Sequence, residues 1–286
     1  MIRKIINLSG VFLLSLLAVF PMVFRLVAEL AGISILSSDL VQVNLVFMFA
    51  GIAGIITSLE NKQLNLGVIN DALPYRVRRF VDPIQTAITT SIVSALFLAA
   101  FSEFFMVFKD GEKVWGIPLK VVFAALPAMY LVMVAIPLKK HKSKISTIVG
   151  IVIGLVIASG PLSGILYFIF HLENLTVLSG VFNFWILVAG KLLWPLVILL
   201  VLAAAFGAPI FIVLAGIAYI AFSQGGGYVE MIPLEGYGIL TDKSIAAIPL
   251  FTLAGLILAE GSAGRRLLEV VKNSVGWLRG GPVIAA

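Results

Sequence analysis

The sequence predicts an all-α, polytopic membrane protein: a bundle of about eight transmembrane helices followed by an amphipathic arm helix on the cytoplasmic side. Three observations carry this. The chain is 61% hydrophobic and 12% charged, with mean hydropathy +1.13, whereas soluble domains carry roughly twice that charged fraction. Several apolar runs reach the roughly 20 residues that cross a bilayer core. The lysines and arginines fall mainly in the loops between those runs, so the net charge of +6 reads as orientation by the positive-inside rule and gives no support to nucleic-acid binding. With no cysteine, disulfides, thiolate zinc sites and cysteine nucleophiles are excluded. The two histidines, His141 and His171, fall on opposite predicted sides, which argues against a histidine metal site.

In chain order, Arg3-Lys4 precede an apolar stretch from Ile5 to about Leu30. Its length, its Arg25 and Glu29, and the lack of a small-residue cleavage site favour an uncleaved first span over a signal peptide. Arg25 and Glu29 are four apart and can pair on one helix face. The second span, about Val41 to Leu59, carries Gly51 and Gly54, a small-residue face for helix packing. A polar segment, 60–83, holds Lys62, Arg76, Arg78 and Arg79, and within it Leu73 to Phe80 reads as an interfacial stretch. The third span is placed at about Ile84 to Phe108. An outer turn follows, with Asp110-Gly111 as the turn signal and Trp115 as an interface anchor.

The fourth span, about Leu119 to Leu138, contains Pro127 and Pro137, which predict a kink and then a stop. The basic cluster Lys139, Lys140, His141, Lys142 and Lys144 closes it inside. The fifth span is about Ile145 to Phe170. Val177 to Phe222 is too long for one span at 1.5 Å per residue. It is interrupted at Lys191, Pro195 and Gly207-Ala208-Pro209. We place an inward span at about Leu192 to Phe206, after a tilted or interfacial segment, then an inner turn at Gly207-Ala208-Pro209 and an outward span to Phe222. Lys191 is expected to snorkel to the interface.

Residues 223–243 read as an outer loop with a flexible Gly225-Gly226-Gly227 break. No lysine-serine/threonine pattern follows those glycines, so a phosphate loop is not supported. A last span, about Ser244 to Ala259, returns inside. This topology puts about 14 of the 20 basic residues inside and about four outside, the asymmetry that the positive-inside rule requires. From Arg265 to Arg279, Leu267, Val271, Val275 and Leu278 share one face, with charges opposite, the pattern of a helix lying on a membrane surface. No paired intramembrane acids, HExxH or GxSxG motif point to a membrane enzyme.

The marks Gly207-x-Pro209, Ile248-Pro249-Leu250-Phe251 with Ala254-Gly255, then Gly261, Arg265-Arg266, Gly276 and Gly280-Gly281-Pro282 resemble the start of the large membrane subunit (M) of the tripartite ATP-independent periplasmic (TRAP) transporters. Leu256 follows the Ala-Gly pair where many members carry an acid. Residues 1–142 resemble the family's four-span small subunit (Q) in layout. Residues 143–172 would then be the connecting helix of a fused protein, and 173–286 the first part of M, with 262–279 as its arm.

The resemblance implies a sodium-coupled importer of organic acids, of dicarboxylate or sialic-acid type, in a bacterial or archaeal inner membrane, with its N-terminus cytoplasmic. It implies a periplasmic substrate-binding protein as partner, alongside the lipid bilayer and the remainder of the M subunit, and no cofactor beyond sodium. It places the substrate and sodium sites in helical hairpins, the first of which starts just after Gly280-Gly281. The expectation is therefore an incomplete fusion whose substrate residues lie beyond Ala286. Gly207, Pro209, Pro249, Gly255, Arg265, Arg266, Gly280, Gly281 and Pro282 are structural marks, with no catalytic or metal-binding residue among them. The alternative is a membrane scaffold or assembly subunit without transport of its own.

Overall fold

The computed structural model describes residues 23, 26–27, 29–31, 38–60, 62–66, 74–106, 113–114, 117–138, 144–172, 176–226, 228–262, 266 and 269–270. It is an all-α bundle. The helices are α1 (Ser38–Glu60), α2 (Tyr75–Met106), α3 (Leu119–Phe123), α4 (Ala125–Leu138), α5 (Lys144–Ile157) and α6 (Ser159–Phe170), followed by α7 (Thr176–Lys191), α8 (Leu193–Ala205), α9 (Ile210–Gln224), α10 (Met231–Leu240) and α11 (Lys243–Glu260). A two-residue hairpin, β1 (Lys113–Val114) with β2 (Ile117–Pro118), precedes α3.

Three helical stretches are long and apolar enough to cross a membrane: Val43–Glu60, Val77–Met106 and Leu119–Leu138. Two bent pairs, α5 with α6 and α7 with α8, raise the number to five if each is one span, and α9 is a shorter apolar helix. The first expected span lies largely outside the described residues. So do the Arg25–Glu29 pair, Asp110-Gly111, Trp115 and most of the basic cluster after α4.

α2 is the element on which the others are assembled. It starts at Tyr75, about two turns before the expected onset at Ile84, so the interleaved basic stretch is the helix's own first turns. It packs against α4, α5, α6, α9 and α10. One core joins Val93, Leu96 and Ala99 of α2 to Trp185 of α7, Leu200 of α8 and Ile212 and Tyr219 of α9. A second gathers Phe47, Phe123, Leu126 and Tyr237. Outward residues such as Ile148, Val152, Leu199, Leu202 and Leu214 are exposed and apolar, the surface that lipid covers in a membrane bundle.

The closest approach is between α2 and α5. A Cβ built on Gly150 would lie 2.6 Å from the Ala87 carbonyl oxygen, and one on Gly154 would lie 2.7 Å from that of Ser91. Only glycine lets the two backbones meet this way. Gly164 on α6 faces Ser102 and Met106. Residue numbers on the two helices rise together along this seam, so α2 and α5 run in the same direction.

Prolines set the bends. Pro161 cannot donate to Ile157, the last residue of α5, and α6 departs from α5 at 75°. Pro195 cannot donate to Lys191, the last residue of α7, and α8 departs at 80°. Pro127 likewise denies Phe123 a donor, and α3 stops there. In each case the missing N–H and the ring's clash with the carbonyl four residues back break the ladder. The fifth span expected at about Ile145 to Phe170 is therefore a bent pair of helices. The expected outer loop 223–243 is also corrected. It contains α10, whose Pro233 and Tyr237 are buried against the bundle. Its many glycines (Gly236 and Gly238 among them) hide a 10-residue helix that tertiary packing supports.

Candidate functional site

The two sequence halves meet at two junctions, named inner and outer after the sides that the sequence topology expects. At the inner one, Gly207 adopts φ 100°, a conformation open mainly to glycine. This lets the chain turn from α8 into α9, with Pro209 at the N-cap of α9 (φ −58°). The polar segment after α1 docks on this turn. Asn65 forms an antiparallel bridge with Pro209, and the Ile210 N–H donates to the Leu64 carbonyl at 3.0 Å. Gln85 of α2 donates its amide to the Phe206 carbonyl, which satisfies an acceptor at the end of α8.

Beside this junction lies a cavity of about 590 Å³ lined by polar groups of α1, α2 and the loop between them, with Pro209 and the end of α4 completing the wall. Arg78 and Asp82 reach it from successive turns of α2, with Gln63 from the loop. Most of its hydrogen-bonding groups are engaged in holding the wall. Thr86 and Thr90 bond back to the Asp82 and Thr86 carbonyls at 2.9 and 2.7 Å, and Gln63 donates to Ser58.

At the outer junction the Tyr237 hydroxyl of α10 donates to Asn44 Oδ1 of α1 at 2.6 Å, with both side chains buried. Asn44 Nδ2 in turn donates to the Leu40 carbonyl at 2.7 Å. Phe47 and Phe123 meet the Tyr237 ring edge-on, with centroids 4.9 and 5.5 Å away, the geometry that aromatic quadrupoles favour. Further into the bundle, the Trp185 indole donates to Ser223 Oγ at 2.9 Å, and Ser223 donates to the Tyr219 carbonyl at 2.7 Å.

Of the expected marks, Gly207 and Pro209 form the inner junction. Pro249 and Gly255 lie within α11, and a Cβ on Gly255 would meet nothing within 4 Å. Arg266 is exposed. Arg265, Gly280, Gly281 and Pro282 lie outside the described residues. Lys191 is exposed at the last residue of α7.

Sequence reasoning missed Asn44, Gln85 and Tyr237, because their value is a partner more than a hundred residues away in the chain. It also missed the Gly150–Gly154 seam, whose GxxxG spacing was visible, and the acid Glu103 inside the third span, which is buried. No group of three or more His, Cys, Asp or Glu that could hold a metal ion occurs among the described residues.

Two family models match the chain. The DctQ component of tripartite ATP-independent periplasmic transporters matches residues 14–143, and the DctM component matches residues 196–286. Neither the curated proteins nor the solved structures contain a match.

Proposed function

The chain belongs to the tripartite ATP-independent periplasmic transporters, with a DctQ-component region and a DctM-component region on one polypeptide, and from that premise we propose that it is the membrane scaffold of a sodium-coupled importer of organic acids. These families are membrane transport components and not enzymes. In the proposed arrangement a periplasmic binding protein delivers a dicarboxylate or sialic-acid type of substrate, and the N-terminus is cytoplasmic.

The observation that carries the scaffold role is the physical union of the two regions. The loop after α1 bridges Pro209, Gln85 holds Phe206, and Tyr237 holds Asn44. A transport domain that moves needs a partner that does not, and a hydrogen-bonded junction at each end of α1 resists relative motion of the two regions. The segment 262–279 would be the arm that passes from this scaffold to the moving part. The resemblance expects the hairpins for substrate and sodium to follow Gly280-Gly281.

Reconstitution tests the reading. Proteoliposomes are prepared with the 286-residue chain alone or with a complete DctM component added, each supplied with a cognate binding protein. We expect organic-acid uptake that requires an inward sodium gradient and the binding protein, and only in the supplemented vesicles. Sodium-driven uptake by the 286 residues alone would overturn the scaffold assignment. Equal uptake with and without sodium in the supplemented vesicles would overturn sodium coupling.

A further inference from the structure

The cavity of about 590 Å³ beside the inner junction changes character along α2. Arg78 and Asp82 come first in its lining, Thr86, Thr89 and Thr90 follow, and Val93 ends the run. At 1.5 Å per residue this run covers about 22 Å of helix. Met133 of α4 adds a second apolar wall. The charged end lies in the first two turns of α2, and Ser58 and Pro137 bring the ends of α1 and α4 to the same cavity. These three helix ends share the inner side that the sequence topology expects. The cavity therefore leads from a membrane surface towards the apolar layer, polar at one end and apolar at the other.

Its wall is mostly self-satisfied, and the groups left over are specific. Thr86, Thr90 and Gln63 are engaged within the wall. Among the described residues, the side chains of Arg78, Asp82 and Thr89 form no hydrogen bond or ion pair. Arg78 and Asp82 stand four apart, so they share one helix face with Cβ atoms about 5–6 Å apart. They do not neutralise each other, and one cation and one anion are presented side by side. A simple cation or anion would be attracted by one of them and repelled by the other. A zwitterion is attracted by both.

We propose that this cavity binds one zwitterionic phospholipid of the phosphatidylethanolamine type. Its phosphate accepts from the Arg78 guanidinium, a pairing that planar geometry favours, and its primary ammonium donates to the Asp82 carboxylate. The two-carbon link between phosphate and ammonium matches charges on adjacent turns. Two turns deeper than Asp82, the free Thr89 hydroxyl donates to an ester carbonyl of the glycerol region, and an acyl chain covers Val93 and Met133. The apolar depth selects a lipid over a free phosphate compound, because only an acyl chain gains from removing that wall from water. Pro209 of the DctM-component region completes the cavity, so the bound lipid touches both regions at the inner junction.

The test is a thermal-stability titration of the delipidated full chain in detergent. Phosphatidylethanolamine, phosphatidylglycerol or phosphatidylcholine of matched acyl chains is added to the micelles, and glycerophosphoethanolamine, which has no acyl chain, forms a fourth arm. We expect a saturable rise in Tm with phosphatidylethanolamine, at a midpoint roughly tenfold below those of the other two lipids, and no rise with glycerophosphoethanolamine. Arg78→Gln should raise the phosphatidylethanolamine midpoint roughly tenfold, and Asp82→Asn should abolish the preference over phosphatidylglycerol. Arg79→Gln removes the same charge from an exposed neighbour outside the cavity lining and should titrate like the unmodified chain. The Tm without added lipid reports that each variant is folded. Should Arg78→Gln not fold, Asp82→Asn carries the test, with native mass spectrometry counting retained lipid. No preference for phosphatidylethanolamine, an equal rise with glycerophosphoethanolamine, or Arg78→Gln and Asp82→Asn chains that titrate like the unmodified one would overturn the proposal. The proposal does not depend on the transport reading, because these variants keep every residue of both junctions and the proteoliposome experiment can succeed or fail without them.

Discussion

At the scale of single residues, long-range partners decide what a polar side chain is worth. Asn44 reads in sequence as a mild interruption of an apolar span. In the structure it is buried and accepts the Tyr237 hydroxyl at 2.6 Å. Removing that hydroxyl leaves Asn44 Oδ1 without its donor, and an unsatisfied buried acceptor costs about 1–3 kcal/mol. Tyr237→Phe should therefore lower stability by that amount, read as a fall in the detergent Tm, while leaving the aromatic contacts with Phe47 and Phe123 in place. Asp242 acts locally. Its Oδ1 accepts the Ser244 N–H at 2.8 Å, capping the first turn of α11. That bond, with further ones from the Ser244 side chain and the Ile245 N–H, holds its carboxyl below the ordinary range. A depressed acid stabilises the fold above its unfolded pKa, and that stability is lost as pH falls through the folded value. Stability of the unmodified chain should thus decline more steeply with acid below the ordinary aspartate range than that of Asp242→Ala. Parallel pH slopes for the two chains would refute the cap.

At the scale of elements, glycine and proline set the geometry. Gly150 and Gly154 let α5 lie on α2 almost backbone to backbone, so a side chain at either position must push the helices apart. Gly154→Leu should destabilise the bundle by about 1–3 kcal/mol or more, the range of overpacked cores, because the colliding atom is a backbone oxygen that no rotamer change can move. Gly255→Leu, at a position with open space around it, is the control and should leave the Tm nearly unchanged. Equal losses for the two would show that the seam does not bear on stability. Pro161 and Pro195 are legible as helix breakers, yet the bends of 75° and 80° are larger than a simple kink. The neighbouring helices hold these bends: Trp185 of α7 and Leu200 of α8 lie in the same buried core as α2 and α9.

At the scale of the whole molecule, the DctQ-component and DctM-component regions meet at both ends of α1. The absence of native cysteine makes the inner junction directly testable. Asn65 and Pro209 are bridge partners, and paired strand positions lie within the Cα separation that a disulfide spans. The double variant Asn65→Cys with Pro209→Cys, oxidised and then cleaved between residues 139 and 144, should run as one band without reductant and two with it. Two bands under both conditions would show that the regions do not meet there.

Composition, hydropathy and charge asymmetry suffice to make this an all-α membrane bundle. The marks from Gly207 to Pro282 suffice for its family, because both are properties of local sequence read against a bilayer. The inner turn was legible too, since a glycine before an N-capping proline has few other uses. The helix in 223–243 was not legible: glycine and proline weaken it locally, and only the surface of α1 and α2 that buries Pro233 and Tyr237 makes it stable. Nor could sequence pair Asn44 with Tyr237 or Gln85 with Phe206. Hydropathy fixes whether a segment crosses the membrane. Which polar side chain finds which partner inside it depends on helix rotation and close approach, and those are settled by the packing of the whole bundle around α2.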